Sequence, residues 1–145
     1  MDSAIEQILT QVETILQAVD AIGQVSRDGV DALSIQRFPA CVISVNENVP
    51  EQLLNDYIDW TLGVSITCWI AAEGDLSKTL EAHKAVVQQA IAADAHIGLG
   101  DKCDTVEGPW SGPFPMNESL TEAADTKRYD FRYRTLRTDP YTLVA

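Results

Sequence analysis

The sequence predicts an α+β domain, with two helices packed on one face of a mainly antiparallel sheet of four or five strands and a long β-hairpin arm projecting from it. Three patterns predict this. Two segments repeat apolar residues at steps of three and four, one segment alternates strictly from Ile58 to Ile70, and a last strand interleaves aromatic residues with cations. A chain of 145 residues holds one such domain, 1–145, with enough length to bury a core without staples.

Ile5, Ile8, Leu9, Val12, Ile15, Leu16 and Val19 form one stripe of an amphipathic helix. Ser3 followed by Glu6 reads as a capping box that opens it, and Gly23 as its stop. Gln24 to Arg27 reads as a short strand ahead of an Asp28-Gly29 turn. Phe38-Pro39 leads into Ala40-Cys41-Val42-Ile43-Ser44-Val45, a β-rich run that starts at a proline, where the missing donor does least harm. Asn46 to Asn48 and Pro50 then read as a loop.

Ile58, Trp60, Leu62, Val64, Ile66, Cys68 and Ile70 are apolar at every second position, with Asp59, Thr61, Gly63, Ser65 and Thr67 between them. A half-buried strand of that length runs roughly 45 Å at about 3.3 Å per residue, longer than a small domain is wide. Part of it is therefore expected to project as an arm with the Ala40 to Val45 strand, with a bulge or bend at Gly63. The face bearing Thr61, Ser65, Thr67 and Trp69 mixes small polar residues with a large aromatic, which suits a wet subunit contact.

Glu73-Gly74-Asp75 turns the chain into a second helix, with Leu76, Leu80, His83, Val87 and Ile91 on one line and Gly98 and Gly100 at its end. His83 lies on that apolar line with no cysteine, aspartate or second histidine at ligand spacing, so it reads as a packing residue. His96 reads as a complement to the helix dipole. Residues 101–126 are irregular and loop-rich: Val106 to Pro115, with three prolines, two glycines and two aromatics, reads as an irregular edge strand or extended loop, and Asn117 to Asp125 as a mobile loop.

In the last strand Tyr129, Phe131 and Tyr133 alternate with Arg128, Asp130, Arg132 and Arg134. An extended conformation puts the aromatics in the core and the cations outside. Residues 127–137 hold five of the ten basic residues and one anion, a local +4 that leaves −16 for the rest of a chain of net charge −12. That imbalance disfavours nucleic acid as a general partner, because phosphate binding needs a dense cationic surface. Two readings of the arginines stand open: a basic edge that meets an acidic partner surface, or charges that neutralise carboxylates within the fold.

Cys41, Cys68 and Cys103 are odd in number and far apart, so they form no disulfide framework and read as buried reduced thiols of a cytoplasmic protein. No signal or transit segment and no membrane span is expected. No P-loop, G-x-G-x-x-G, H-E-x-x-H, C-x-x-C or G-x-S-x-G occurs, so no enzyme, metal or cofactor is expected.

The N-terminal helix, Phe38-Pro39-Ala40-Cys41-Val42-Ile43-Ser44-Val45, the alternating strand to Ile70 and the helix from near Asp75 form an ordered set. With Tyr133-Arg134-Thr135 followed by Asp139-Pro140-Tyr141, that set resembles the tail terminator, or tail completion, family of tailed bacteriophages, of the lambda-like minor tail protein U type. The resemblance implies a structural subunit that forms a hexameric ring, caps the tail tube, halts its polymerisation and offers the surface that the head's connector joins. Its implied partners are further copies of itself, the tail tube protein and a head completion or connector protein. Its implied place is the virion's tail and neck, after assembly in the host cytoplasm. On this reading Arg128, Arg132, Arg134 and Arg137, with Trp69 and Tyr141, are the candidate interface residues. Two other readings remain: another neck component, or a small ligand-binding domain in which Trp60, Trp69 and Trp110 line a pocket.

Overall fold

The computed structural model describes residues 1–27 and 35–145, and the expected Asp28-Gly29 turn lies outside them. Along the chain come α1 (Ala4–Gln17), β1 (Gln24–Arg27), β2 (Ala40–Leu53), β3 (Tyr57–Ala71) and α2 (Leu76–Ala92). After a short 3₁₀ turn at Gly100–Lys102 follow β4 (Cys103–Trp110), β5 (Phe114–Pro115), β6 (Glu122–Leu136) and β7 (Asp139–Val144). The α+β class and the two helices match the sequence reading. The sheet differs from it: seven strands rather than four or five, and mixed, because β1 runs parallel to β2 with Gln24 opposite Ala40. The strands that periodicity could not reveal are short or broken by Pro115 and Pro140.

Strand order is β1-β2-β3-β6-β4, and β5 and β7 also pair with β6. The backbone of the fold is the β3–β6 ladder, which runs unbroken from Tyr57 opposite Leu136 to Ala71 opposite Glu122. Along the other edge of β6, β5 faces Ala123 and Ala124, β4 faces Lys127 to Tyr133, and β7 faces Arg134 to Leu136. The expected arm is corrected by this ladder. Since β6 accompanies β3 over its whole length, the far end is three strands wide rather than a two-stranded hairpin.

Asn46 to Leu53, read as a loop, continues β2 to its end. Its residues are mostly exposed, so no hydrophobic alternation marks them, and pairing with β3 alone holds the strand. Two bulges occur in the β2–β3 ladder, with the extra residues, Asn46 and Glu51, on β2; the first lies opposite the Val64–Gly63 step, so Gly63 marks its place from the partner strand. Residues 103–110 form an edge strand, irregular as expected from Val106 onward, with a register shift between Glu107 and Trp110 that accommodates Pro109.

Both helices cover one sheet face. The α1 stripe of Ile8, Leu9, Val12 and Leu16 and the α2 line of Leu80, His83, Val87 and Ile91 are buried there, over Leu62, Val64, Ile66, Tyr129 and Phe131. Burying such side chains contributes roughly 1.5–3 kcal/mol each before entropy is counted. The Ser3 hydroxyl accepts the Glu6 N–H at 3.2 Å and caps α1. The reciprocal half of the box is absent, because the Glu6 carboxylate pairs with Arg27 of β1. Gly23 lies well past the end of α1, and a Cβ there would come 2.9 Å from the Phe38 carbonyl oxygen, so its role is close approach rather than helix termination. Helix α2 ends at Ala92, ahead of Gly98 and Gly100, both of which have positive φ in the turn that follows.

Candidate functional site

The sheet face away from the helices carries the arginine row. Pairing sets Ser65 opposite Arg128, Gly63 opposite Asp130, Thr61 opposite Arg132 and Asp59 opposite Arg134. On the flanks β4 places Asp104 beside Arg132, and β2 places Glu47 beside Gly63. The alternation in the last strand is therefore as read: Tyr129, Phe131 and Tyr133 are buried beneath the helices, and the arginines lie outside.

The arginines divide between the two open readings. Arg128 donates to the Asp130 carboxylate at 3.0 Å and to Glu47 across β3 at 2.5 Å. Gly63 permits that reach, since a Cβ there would stand 2.5 Å from the guanidinium nitrogen. Hydrogen bonds to Glu47 and Asp130 hold the Arg128 pKa above its ordinary value. Arg134 grips Asp59 with two parallel bonds of 2.6 and 3.2 Å and lies 5.4 Å over the Tyr57 ring. The bond from Arg134 holds the Asp59 carboxyl below the usual carboxylate range. These two arginines are neutralised within the fold. The Arg132 side chain, exposed between them, makes no hydrogen bond or ion pair among the described residues.

The other candidates do not join this row. Arg137 sits in the β6–β7 turn, where its N–H donates to the Asp56 carbonyl and its guanidinium reaches the Asn55 carbonyl at 3.5 Å. Trp69 shares the outer face but stands eight positions along β3 from Thr61, about 26 Å away at 3.3 Å per residue. It packs edge-on against Phe38, with ring centroids 6.4 Å apart, and its buried indole N–H has no acceptor among the described residues. Tyr141 is exposed on β7, its carbonyl accepting from Gln7 of α1. The three tryptophans do not converge on a pocket. Trp60 stacks on Tyr133 beneath the sheet, Trp69 meets Phe38, and Trp110 lies under the Lys84 ammonium.

Sequence reasoning missed the surroundings of both histidines. His83 is buried among Cys41 and Cys68, which strand pairing sets directly opposite each other. No short motif joins residues so far apart in the chain. His96 lies beyond the end of α2 and does not serve the helix dipole; its Nδ1 donates to the Cys103 carbonyl at 2.9 Å and stands 3.1 Å from the Asp104 carboxylate. The Cys103 carbonyl bond, then the charges of Asp104, Asp94 and Asp101, raise the His96 pKa above its ordinary 6.5. A raised histidine stabilises most fully below its unfolded value, and that contribution is lost as pH rises through the folded value. Proton titration of His96 by NMR should therefore give a midpoint above 6.5 that falls in an Asp104→Asn variant; an unshifted midpoint would contradict the assignment.

No family model matches the sequence, and no curated protein matches it. Solved structures do. The sheath/tube terminator of the PVC extracellular contractile injection system, in its extended state, superposes with a TM-score of 0.55 at 10% identity. All of this chain is covered. It spans 62% of the terminator chain's length. At that identity the likeness is one of fold.

Proposed function

We propose that this protein is a structural tail terminator: copies of it assemble into a ring that caps a tail tube, stops its growth and presents a surface for joining the head. In the resembled family the ring has six members, and the same number is proposed here. The partners are then a second copy of the chain, the tube protein and a head completion or connector protein, and the place of action is the head-proximal end of the tail in the virion. The observation that carries this reading is the likeness of fold, over the whole of this chain and 62% of the neighbour's, to a sheath/tube terminator. Two features of the outer face support it. Arg132 is an exposed guanidinium with no partner of its own among the described residues, in a chain of net charge −12. The β2 edge from Val45 to Leu53 has no strand on its outer side among the described residues, and it exposes Val45, Val49 and Leu53. Such an edge pairs with another chain or aggregates, so a subunit contact there would cover it.

Arg132→Glu tests the contact. The variant should fold as the parent does, with an unchanged circular dichroism spectrum, because no internal partner is lost. Its ring formation and tube capping, followed by size exclusion and electron microscopy with purified tubes, should weaken by at least tenfold. Arg132→Glu rings that form and cap at parental concentrations would remove Arg132 from the interface.

A further inference from the structure

Cys41, Cys68 and His83 come from β2, β3 and α2, and their exposures are 0%, 0% and 4%. Their ligand atoms all lie within 4.8 Å of one another, with Cys41 Sγ 3.8 Å from His83 Nε2. An ion bound by two thiolates at about 2.3 Å and an imidazole at about 2.0 Å holds its ligands on a triangle with sides of about 3.5–4 Å, whether trigonal or tetrahedral. The cluster already has nearly those dimensions. We propose that Cys41, Cys68 and His83 form a structural binding site for zinc(II), tying α2 to the β2–β3 pair.

Charge selects the ion. Two thiolates around a divalent cation make a neutral group, which can be buried beside the Lys84–Asp125 ion pair without an unpaired charge. A monovalent copper ion in the same ligands would leave one negative charge in the core. The protons are also placed for exchange. His83 Nε2–H donates to the Ala40 carbonyl at 2.8 Å, so in the metal-free state a proton occupies the ligating nitrogen. On binding, that proton moves to Nδ1, two thiol protons are released, and the Ala40 carbonyl is freed as a fourth donor. A shallow groove lined by Pro39, Lys78, Thr79, Ala82, His83 and Val86 borders the cluster at its His83 edge. Cys103 provides an internal control. It is buried apart from the cluster, opposite Tyr133, and burial pushes its thiol up to about 12.

The full-length protein, purified under reductant, should contain one zinc per chain by mass spectrometry of the metal. After chelation, cobalt(II) should restore an equimolar site with an intense thiolate-to-cobalt charge-transfer band, discharged by zinc(II). The band should persist in Cys103→Ser and disappear in Cys68→Ser. Absence of the band in the parent protein would overturn the proposal, as would its survival in Cys68→Ser or isolation of a Cys41–Cys68 disulfide from reductant-treated protein. The parent titration alone decides the matter if Cys68→Ser does not fold.

Discussion

Asp125→Ala is expected to destabilise the fold by about 3–5 kcal/mol, the usual cost of stranding one member of a buried ion pair. Asp125 is fully buried on β6, with its Oδ2 2.7 Å from the Lys84 ammonium of α2. Its Oδ1 accepts the Gly112 N–H at 3.0 Å and the Thr126 N–H at 2.8 Å, so the same carboxylate anchors the β4–β5 connection. Alanine would leave Lys84 with Glu81, whose side chain is 61% exposed, and with the Trp110 ring 4.5 Å away. Neither replaces a buried counter-ion.

A double replacement separates stranding from the net worth of the pair. Lys84→Met combined with Asp125→Ala should cost less than Asp125→Ala alone, since no charge then remains buried, and urea denaturation of the four proteins measures the difference. The pH dependence has a definite sign. Burial alone would lower the Lys84 pKa, but its bonds to Asp125 and Glu81 outweigh burial and raise it above its ordinary 10.5. The stabilisation it contributes is therefore complete below pH 10.5 and is lost as pH climbs through the folded value. A loss of less than 1 kcal/mol in Asp125→Ala would mean that the pair does not hold α2 to the sheet.

Legibility in the sequence followed the range of the interaction. Strand β3 and the last part of β6 could be read because their alternation is local and one face is buried without interruption, as with Leu62, Val64 and Ile66. The first part of β6 could not. Asp125 is a carboxylate at a core position, and its counter-ion Lys84 lies forty-one residues away in the chain. Asn46 to Leu53 was hidden for the opposite reason, since a strand exposed on most of its length has no apolar period to display. The candidate site was legible as a cationic row but not as a division of roles. That division depends on Glu47, Asp59 and Gly63, which reach Arg128 and Arg134 only through strand register.

Phe131→Ala and Arg132→Ala test that register at adjacent positions. Phe131 is fully buried, paired with Leu62 on β3 and Thr105 on β4, and its ring stacks on Tyr129 at 16° with centroids 6.3 Å apart. Removing the ring should cost about 3–5 kcal/mol, because β3 and β4 hold the strand on both sides and the cavity cannot collapse. Against a typical stability of about 5–15 kcal/mol, that brings the domain near its limit. Arg132 points the other way, has no internal partner among the described residues, and should change stability by no more than about 0.5 kcal/mol as alanine. Denaturant midpoints of the two variants give the comparison directly. If Arg132→Ala matched Phe131→Ala in cost, the arginine would be bearing load within the subunit, and its assignment to a contact between copies would fail. A small stability effect accompanied by weakened assembly would instead place the strand's two tasks on its two faces, with the core held by Tyr129, Phe131 and Tyr133 and the contact by Arg132.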